Sequence, residues 1–100
     1  MYLINFSADA EIDANEAGEW YDGQSPGLSV KFYEDLDKAI NSIRKSPKLN
    51  PAYRYYKNIK RKNLSVFPYK VFYVVKDKTV SILAIVHHRR STKYIKRRLQ

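Results

Sequence analysis

Several features that small proteins use for chemistry or targeting are absent from this sequence. It has no cysteine, which excludes disulfides, thiolate metal ligation and a cysteine nucleophile. Its two histidines are adjacent, so a histidine-based zinc site would need carboxylates as further ligands. No apolar run approaches the roughly eighteen residues of a transmembrane helix, and no charged and then apolar leader opens the chain. We therefore expect a soluble, cytoplasmic protein with no cofactor, no metal and no membrane partner.

Acidic residues are nearly absent from the second half of the chain. Residues 1–50 contain five lysines and arginines against nine aspartates and glutamates, a net charge of −4, whereas residues 51–100 contain fourteen against one, a net charge of +13. A solubilising surface usually mixes charges of both signs. The concentrated positive charge therefore favours a polyanionic partner, either nucleic acid or an acidic protein, over a small neutral substrate.

One hundred residues, 44% of them hydrophobic, suffice for one domain with a core and leave no room for a second domain. The apolar run at 2–6 predicts a strand, and Ser7 is a suitable N-cap for a helix ending near Tyr21. The composition of 22–27 predicts a turn, after which a second helix begins near Leu28 and ends at a Ser-Pro pair. Apolar side chains recur at helical spacing in both helices: Ala10, Ala14, Ala17, Trp20 and Tyr21 in the first, and Leu28, Phe32, Leu36, Ala39, Ile40 and Ile43 in the second.

The second half predicts three consecutive strands and a basic tail. Tyrosines and basic residues are interleaved at 53–59, most of which we expect to form a strand. Two apolar runs at 69–75 and 80–86 are joined by a polar connector as in a hairpin. The tail at 91–100 is typical of a short, frayed helix. The expected fold is therefore α+β, with the order β-α-α-β-β-β. Two antiparallel helices would pack on one face of a mostly antiparallel four-stranded sheet, with the first strand beside the last and the basic residues on the other face.

A family resemblance runs through nearly the whole chain. It is carried by Phe6-Ser7-Ala8, Trp20-Tyr21, Ser25-Pro26-Gly27-Leu28, Phe32, Leu36, Ala39-Ile40, Ile43, Pro47, Tyr53-Arg54, the segment FPYKVFY at 67–73 and the segment IVHHRR at 85–90. In this order and spacing these residues resemble the RelE/ParE superfamily of bacterial type II toxin–antitoxin toxins. The resemblance implies the same fold and a cognate antitoxin, which should be acidic where it covers the basic half.

The resemblance leaves the molecular target open. RelE-like members cut messenger RNA in the ribosome, whereas ParE-like members inhibit DNA gyrase. The first interpretation is a ribosome-dependent messenger RNA endonuclease. One alternative is a non-catalytic gyrase inhibitor, because the segments at 20–21 and 25–28 resemble those of ParE-like members. The other is a non-enzymatic nucleic-acid-binding module.

Cleavage of RNA by its 2′-hydroxyl requires a base, stabilisation of charge on the phosphate and a proton for the leaving oxygen. The second half has one acidic residue, Asp77, in a predicted turn, so the base would be His87, His88 or a lysine of lowered pKa. The resemblance places basic residues on the middle strands, Arg89 at the end of the last strand and Tyr94 near a catalytic tyrosine. The expected catalytic residues are Lys57, Lys70, His88, Arg89 and Tyr94. The expected RNA- or target-binding residues are Arg54, Lys60, Arg61, Lys62, Arg90, Lys93, Lys96 and Arg97.

Overall fold

The chain forms one five-stranded sheet with two long helices on one face and a short helix on the other. The computed structural model describes residues 1–100. In chain order its elements are β1 (Leu3–Phe6), α1 (Ala8–Gln24), α2 (Leu28–Lys45), a 3-10 turn (Pro47–Leu49), β2 (Ala52–Tyr53), β3 (Tyr56–Asn63), β4 (Tyr69–Lys76), β5 (Thr79–His87) and α3 (Thr92–Arg98). No helix combines the length and the apolar character that crossing a bilayer requires.

The strand order in the sheet is β1-β5-β4-β3-β2. Strand β1 pairs parallel with β5, and all other neighbours are antiparallel. The two helices between β1 and the rest of the sheet form the crossover that a parallel pair needs. The predicted α+β class and the position of the first strand beside the last are therefore confirmed.

The sheet has five strands because the region predicted as one strand at 53–59 is divided. The chain turns at Arg54 and Tyr55, so that β2 ends at Tyr53 and β3 begins at Tyr56. The turn brings Tyr53 opposite Tyr56, and β3 then continues through the basic run at 60–62. The prediction of a single strand here was wrong.

Helix α1 also differs from its prediction at its C-terminal end. It continues through Asp22 and Gly23 to Gln24, and the turn is confined to the next three residues, where Gly27 has a left-handed backbone with φ of 84°. Because glycine has no Cβ, it adopts this conformation without steric cost. Trp20, predicted to share the apolar face of α1, is instead 58% exposed.

The core has two parts, one on each face of the sheet. Beneath α1 and α2, the predicted helical stripes pack against strand side chains that include Val71, Tyr73, Val80 and Ile82. On the other face, Ile95 of α3 packs with a smaller cluster: Tyr53, Ile59, Phe72, Ala84 and Val86. Helix α3 therefore covers part of this face of the sheet. The rest of the face, beside α3, is not covered by a helix.

Candidate target-binding site

A β-bulge in β5 decides which side chains reach each face near the end of the sheet. Phe72 pairs with Ala84 and Tyr73 pairs with Ile82, so Leu83 is an additional residue in β5. The Ser7 hydroxyl at the N-cap of α1 donates to the Leu83 carbonyl at 3.1 Å. Past the bulge, alternation places His87 on the helix-covered face and His88 on the other face.

A basic cavity of about 380 Å³ lies on the face that carries α3. We call it the open-face cavity; its lining is Ala52, Tyr53, Arg54, Tyr55, Arg61, Lys70, His88, Arg90, Thr92 and Ile95. Four cations and a histidine thus converge from the β2–β3 turn, two adjacent strands and the segment after β5. No carboxylate lines the cavity, so it suits an anionic ligand.

Lys70 is one of the two half-buried cations of this cavity, with Arg61. Its side chain is half-buried beside the Phe72 ring, with Nζ 5.9 Å from the ring centroid. Burial lowers the pKa of Lys70 below its usual value, and the positive charge of Arg61 lowers it further. Both causes disfavour a charged ammonium group, so an anion bound beside Lys70 would oppose them and favour its charged form.

Lys57 and Lys60 do not reach the open-face cavity. They line a separate cavity at the other end of β3, together with Lys48, Asn58, Val75 and Asp77. The Lys60 ammonium donates to the Asn50 carbonyl at 3.0 Å, which ties the 3-10 turn to the sheet. Lys62 pairs with Val71 and alternates with Arg61, so its side chain leaves from the opposite face.

Arg89 lies in a third cavity, of about 480 Å³, at the carboxyl end of β5. Its lining consists of Trp20, Tyr69, His87, Arg89 and Arg90. The Arg89 backbone N–H donates to Nδ1 of His87 at 3.0 Å. Burial, together with the charges of Arg89, His88 and Arg90, lowers the pKa of His87. A neutral His87 therefore carries its proton on Nε2, and the lone pair of Nδ1 is already occupied.

The remaining predicted residues lie on α3. Lys93 is exposed, the Lys96 ammonium lies 4.9 Å from the centroid of the Tyr55 ring, and Arg97 lies 5.8 Å from the centroid of the Tyr94 ring. Tyr94 itself lines a cavity with Asp13, Trp20 and His87 and is absent from the open-face cavity. Of the five predicted catalytic residues, the structure therefore brings only Lys70 and His88 together.

The family model described as "ParE toxin of type II toxin-antitoxin system, parDE" matches residues 4–92. The chain belongs to the ParE toxin family. The predicted membership of the RelE/ParE superfamily of type II toxin–antitoxin toxins is thereby confirmed. No curated protein matches the chain significantly in sequence.

Solved structures of related toxins share the fold of this ParE-family chain. A chain of the chromosomal ParDE system of P. aeruginosa superposes with a TM-score of 0.76 and 17% identity, covering 87% of this chain and 96% of that one. The isolated E. coli RelE toxin gives a TM-score of 0.64 and 22% identity, with 100% of both chains covered. The toxin of the E. coli RelBE complex gives 0.64 and 21%, covering 90% of this chain and all of that one.

The structure of this ParE-family chain adds two residues that the sequence interpretation missed. Asp13 of α1 accepts two hydrogen bonds from Arg98 of α3, at 2.8 and 3.0 Å, and both side chains are less than one-fifth exposed. The signal for Asp13 is its position: it lies three residues after Ala10 and four before Ala17, within the apolar stripe of α1. An acidic residue at such a position needs a buried partner.

Proposed function

We propose that this ParE-family toxin acts by binding its target, as a ParE-like inhibitor of DNA gyrase, without cleaving RNA. The observation that carries the proposal is the open-face cavity, in which Arg54, Arg61, Lys70, His88 and Arg90 converge without a carboxylate. Such a site supplies charge complementarity for an acidic surface. The separation of Lys57, Arg89 and Tyr94 from Lys70 and His88 further supports binding over catalysis.

A messenger RNA endonuclease is the second candidate, and one observation favours it. Lys70, whose pKa is lowered, lies in the same cavity as His88 and Arg61. A lysine of lowered pKa and a histidine are the two groups able to serve as the base in a site without carboxylates. In this alternative, Arg61 would stabilise charge on the phosphate, and the ribosome would supply the remaining contacts.

The proposed partner in either case is a cognate acidic antitoxin, and the proposed place of action is the cytoplasm. Residues 51–100 carry a net charge of +13, so an acidic segment that covers them would gain electrostatically. The related structures include a toxin–antitoxin complex, that of E. coli RelBE. We propose that residues 1–100 act as one toxin domain whose helices and sheet share a common core.

A paired assay distinguishes the two candidates. Purified protein is added to a gyrase supercoiling reaction, and the ends of translated transcripts are mapped after brief expression in cells. We expect inhibition of supercoiling, weakened at least tenfold by Arg61→Ala and unchanged in Lys31→Ala, an exposed cation of α2. Unimpeded supercoiling together with new transcript ends at ribosome-occupied codons, lost in Lys70→Ala, would overturn the gyrase proposal in favour of RNA cleavage.

A further inference from the structure

We infer that Asp13 and Arg98 are positioning residues of the target-binding site, which hold Arg90 in place through the ring of Tyr94. The inference rests on the proposed function, because Arg90 matters for target binding only if the open-face cavity is the binding site. Four residues from α1, the segment after β5 and α3 thus form a chain of contacts that begins outside the open-face cavity and ends in it.

The chain of contacts begins at the Asp13 carboxylate, both of whose oxygens accept hydrogen bonds. Oδ2 accepts from the backbone N–H of Ile85 at 2.9 Å and from Nη2 of Arg98 at 2.8 Å, while Oδ1 accepts from Nη1 of Arg98 at 3.0 Å. Ile85 lies past the bulge, where β5 extends beyond its pairing with β1. This carboxylate of α1 is therefore fixed to β5 and to Arg98 at once.

Because Arg98 belongs to α3, its hydrogen bonds to Asp13 also restrain that helix. The helix spans only Thr92–Arg98, too short to be stable without tertiary contacts. Its buried side chain, Ile95, anchors it to the sheet, and Tyr94 and Leu99 are half-buried against the same cluster. The paired hydrogen bonds to Asp13 add a directional restraint, because a guanidinium and a carboxylate that meet in this way have one preferred geometry.

The Tyr94 ring is the next contact. Nη1 of Arg98 also donates to the Tyr94 hydroxyl at 2.9 Å, which fixes the tilt of the ring. The Arg90 guanidinium carbon lies 4.3 Å from the centroid of that ring, compared with 5.8 Å for Arg97. The shorter distance is well within the range of a cation–π interaction, about 6 Å.

Arg90 is the residue whose position this network determines. It is exposed, it follows the end of β5, and it lines both the open-face cavity and the cavity that contains Arg89. An exposed arginine loses side-chain entropy when a ligand immobilises it. Stacking on Tyr94 restrains the guanidinium before the target binds, so part of that loss is incurred on folding.

The test uses Asp13→Asn, which keeps an acceptor for Ile85 but places an amide against Arg98, and Arg98→Lys, which keeps the charge without the paired geometry. The matched control is Glu11→Gln, the same change of charge at an exposed site on α1. Side-chain ¹⁵N relaxation of the Arg90 Nε–H group is measured in the free protein. We expect both variants to increase its mobility, Tyr94→Phe to increase it less, and Glu11→Gln to leave it unchanged.

A double-mutant cycle on gyrase then separates positioning from general support of α3. We expect Arg98→Lys to weaken binding about three- to tenfold in the otherwise unmodified protein and to have no further effect when Arg90 is alanine. An effect of equal size in both backgrounds, or an Arg90 side chain of unchanged mobility in the free variants, would overturn the inference. If the unmodified protein does not bind gyrase, the proposed function fails, and the relaxation measurement alone decides the role of Asp13 and Arg98.

Discussion

At the scale of single residues, the two adjacent histidines have opposite surroundings. His87 is half-buried, contacts the Tyr69 ring with centroids 5.0 Å apart, and accepts a hydrogen bond at Nδ1. His88 is exposed in the open-face cavity, and only its backbone N–H is engaged, with the Pro68 carbonyl at 2.9 Å. The side chain of His88 is therefore available to a ligand, whereas that of His87 serves mainly to order the segment after β5.

The surroundings of His87 predict that the protein loses stability in mild acid. Burial is the first cause of its lowered pKa, and three neighbouring positive charges add to it. The unfolded chain, with a histidine pKa of about 6.5, then binds a proton more readily than the folded protein. The contribution to stability is complete above that pH and is lost as the pH falls through the lowered folded-state pKa.

Chemical denaturation between pH 7.5 and pH 5 measures this dependence. We expect the free energy of unfolding to fall with pH in the native protein and to fall less steeply in His87→Gln, which has no titratable group at that position. His88→Gln removes one of the charges that lower the pKa of His87, so its slope should lie between those of the native protein and of His87→Gln. A native slope in His87→Gln would show that another group is responsible.

Local sequence predicts the presence of cations but not the face on which each one lies. The run at 60–62 looks like one basic patch, yet Arg61 alone lines the open-face cavity, because Lys60 and Lys62 point to the other face of β3. Arg54 reaches the cavity only because of the turn that follows β2. The cavity thus draws on cations that are far apart in sequence, and only the strand register brings them together.

At the scale of helices and strands, predictions succeed where a periodic pattern is long. The apolar stripe of α2 and the two runs of the β4–β5 hairpin extend over many residues, so their type and approximate bounds follow from the sequence. The turn at Arg54 and Tyr55 has no glycine, proline, asparagine or aspartate to mark it, and tertiary pairing of β2 with β3 creates it. The bulge at Leu83 is equally unmarked, since its neighbours are all apolar.

The contact between α1 and α2 depends on the absence of a side chain at Gly18. The Tyr33 hydroxyl donates to the Ala14 carbonyl at 3.3 Å, and its ring lies where a Cβ on Gly18 would be. Gly18→Ala should therefore destabilise the protein by about 1–2 kcal/mol, because overpacking outweighs the gain of up to about 1 kcal/mol in helix propensity.

Two further variants test this explanation by the sign of the effect. Gly23→Ala, in the same helix with no heavy atom within 4 Å of the new methyl group, should be stabilising. In a Tyr33→Ala background, Gly18→Ala should change from destabilising to stabilising, since the obstructing ring is gone. Thermal unfolding of the four variants measures these differences; a destabilising Gly18→Ala in the Tyr33→Ala background would contradict the steric explanation.

At the scale of the whole molecule, the two halves of the chain differ in net charge and also form different layers of the fold. The acidic first half forms the helical layer, with a net charge of −4, while the second half, at +13, supplies four of the five strands and α3. The open-face cavity therefore lies on the side of the sheet away from the acidic helices. A polyanion that approaches the protein should be steered to this side, and its binding should weaken steeply with salt.

This arrangement makes a quantitative prediction for a single-stranded oligonucleotide used as a generic polyanion. If the four cations of the open-face cavity, Arg54, Arg61, Lys70 and Arg90, each contact one phosphate, the slope of log K against log salt should be about −3, at roughly −0.7 per contact. Arg61→Ala should reduce the magnitude of the slope by about 0.7, the share of one contact. Lys31→Ala, on the helical layer, should leave it unchanged. Equal slopes for all three proteins would mean that the polyanion binds elsewhere, in which case the gyrase assay would have to be interpreted without the open-face cavity.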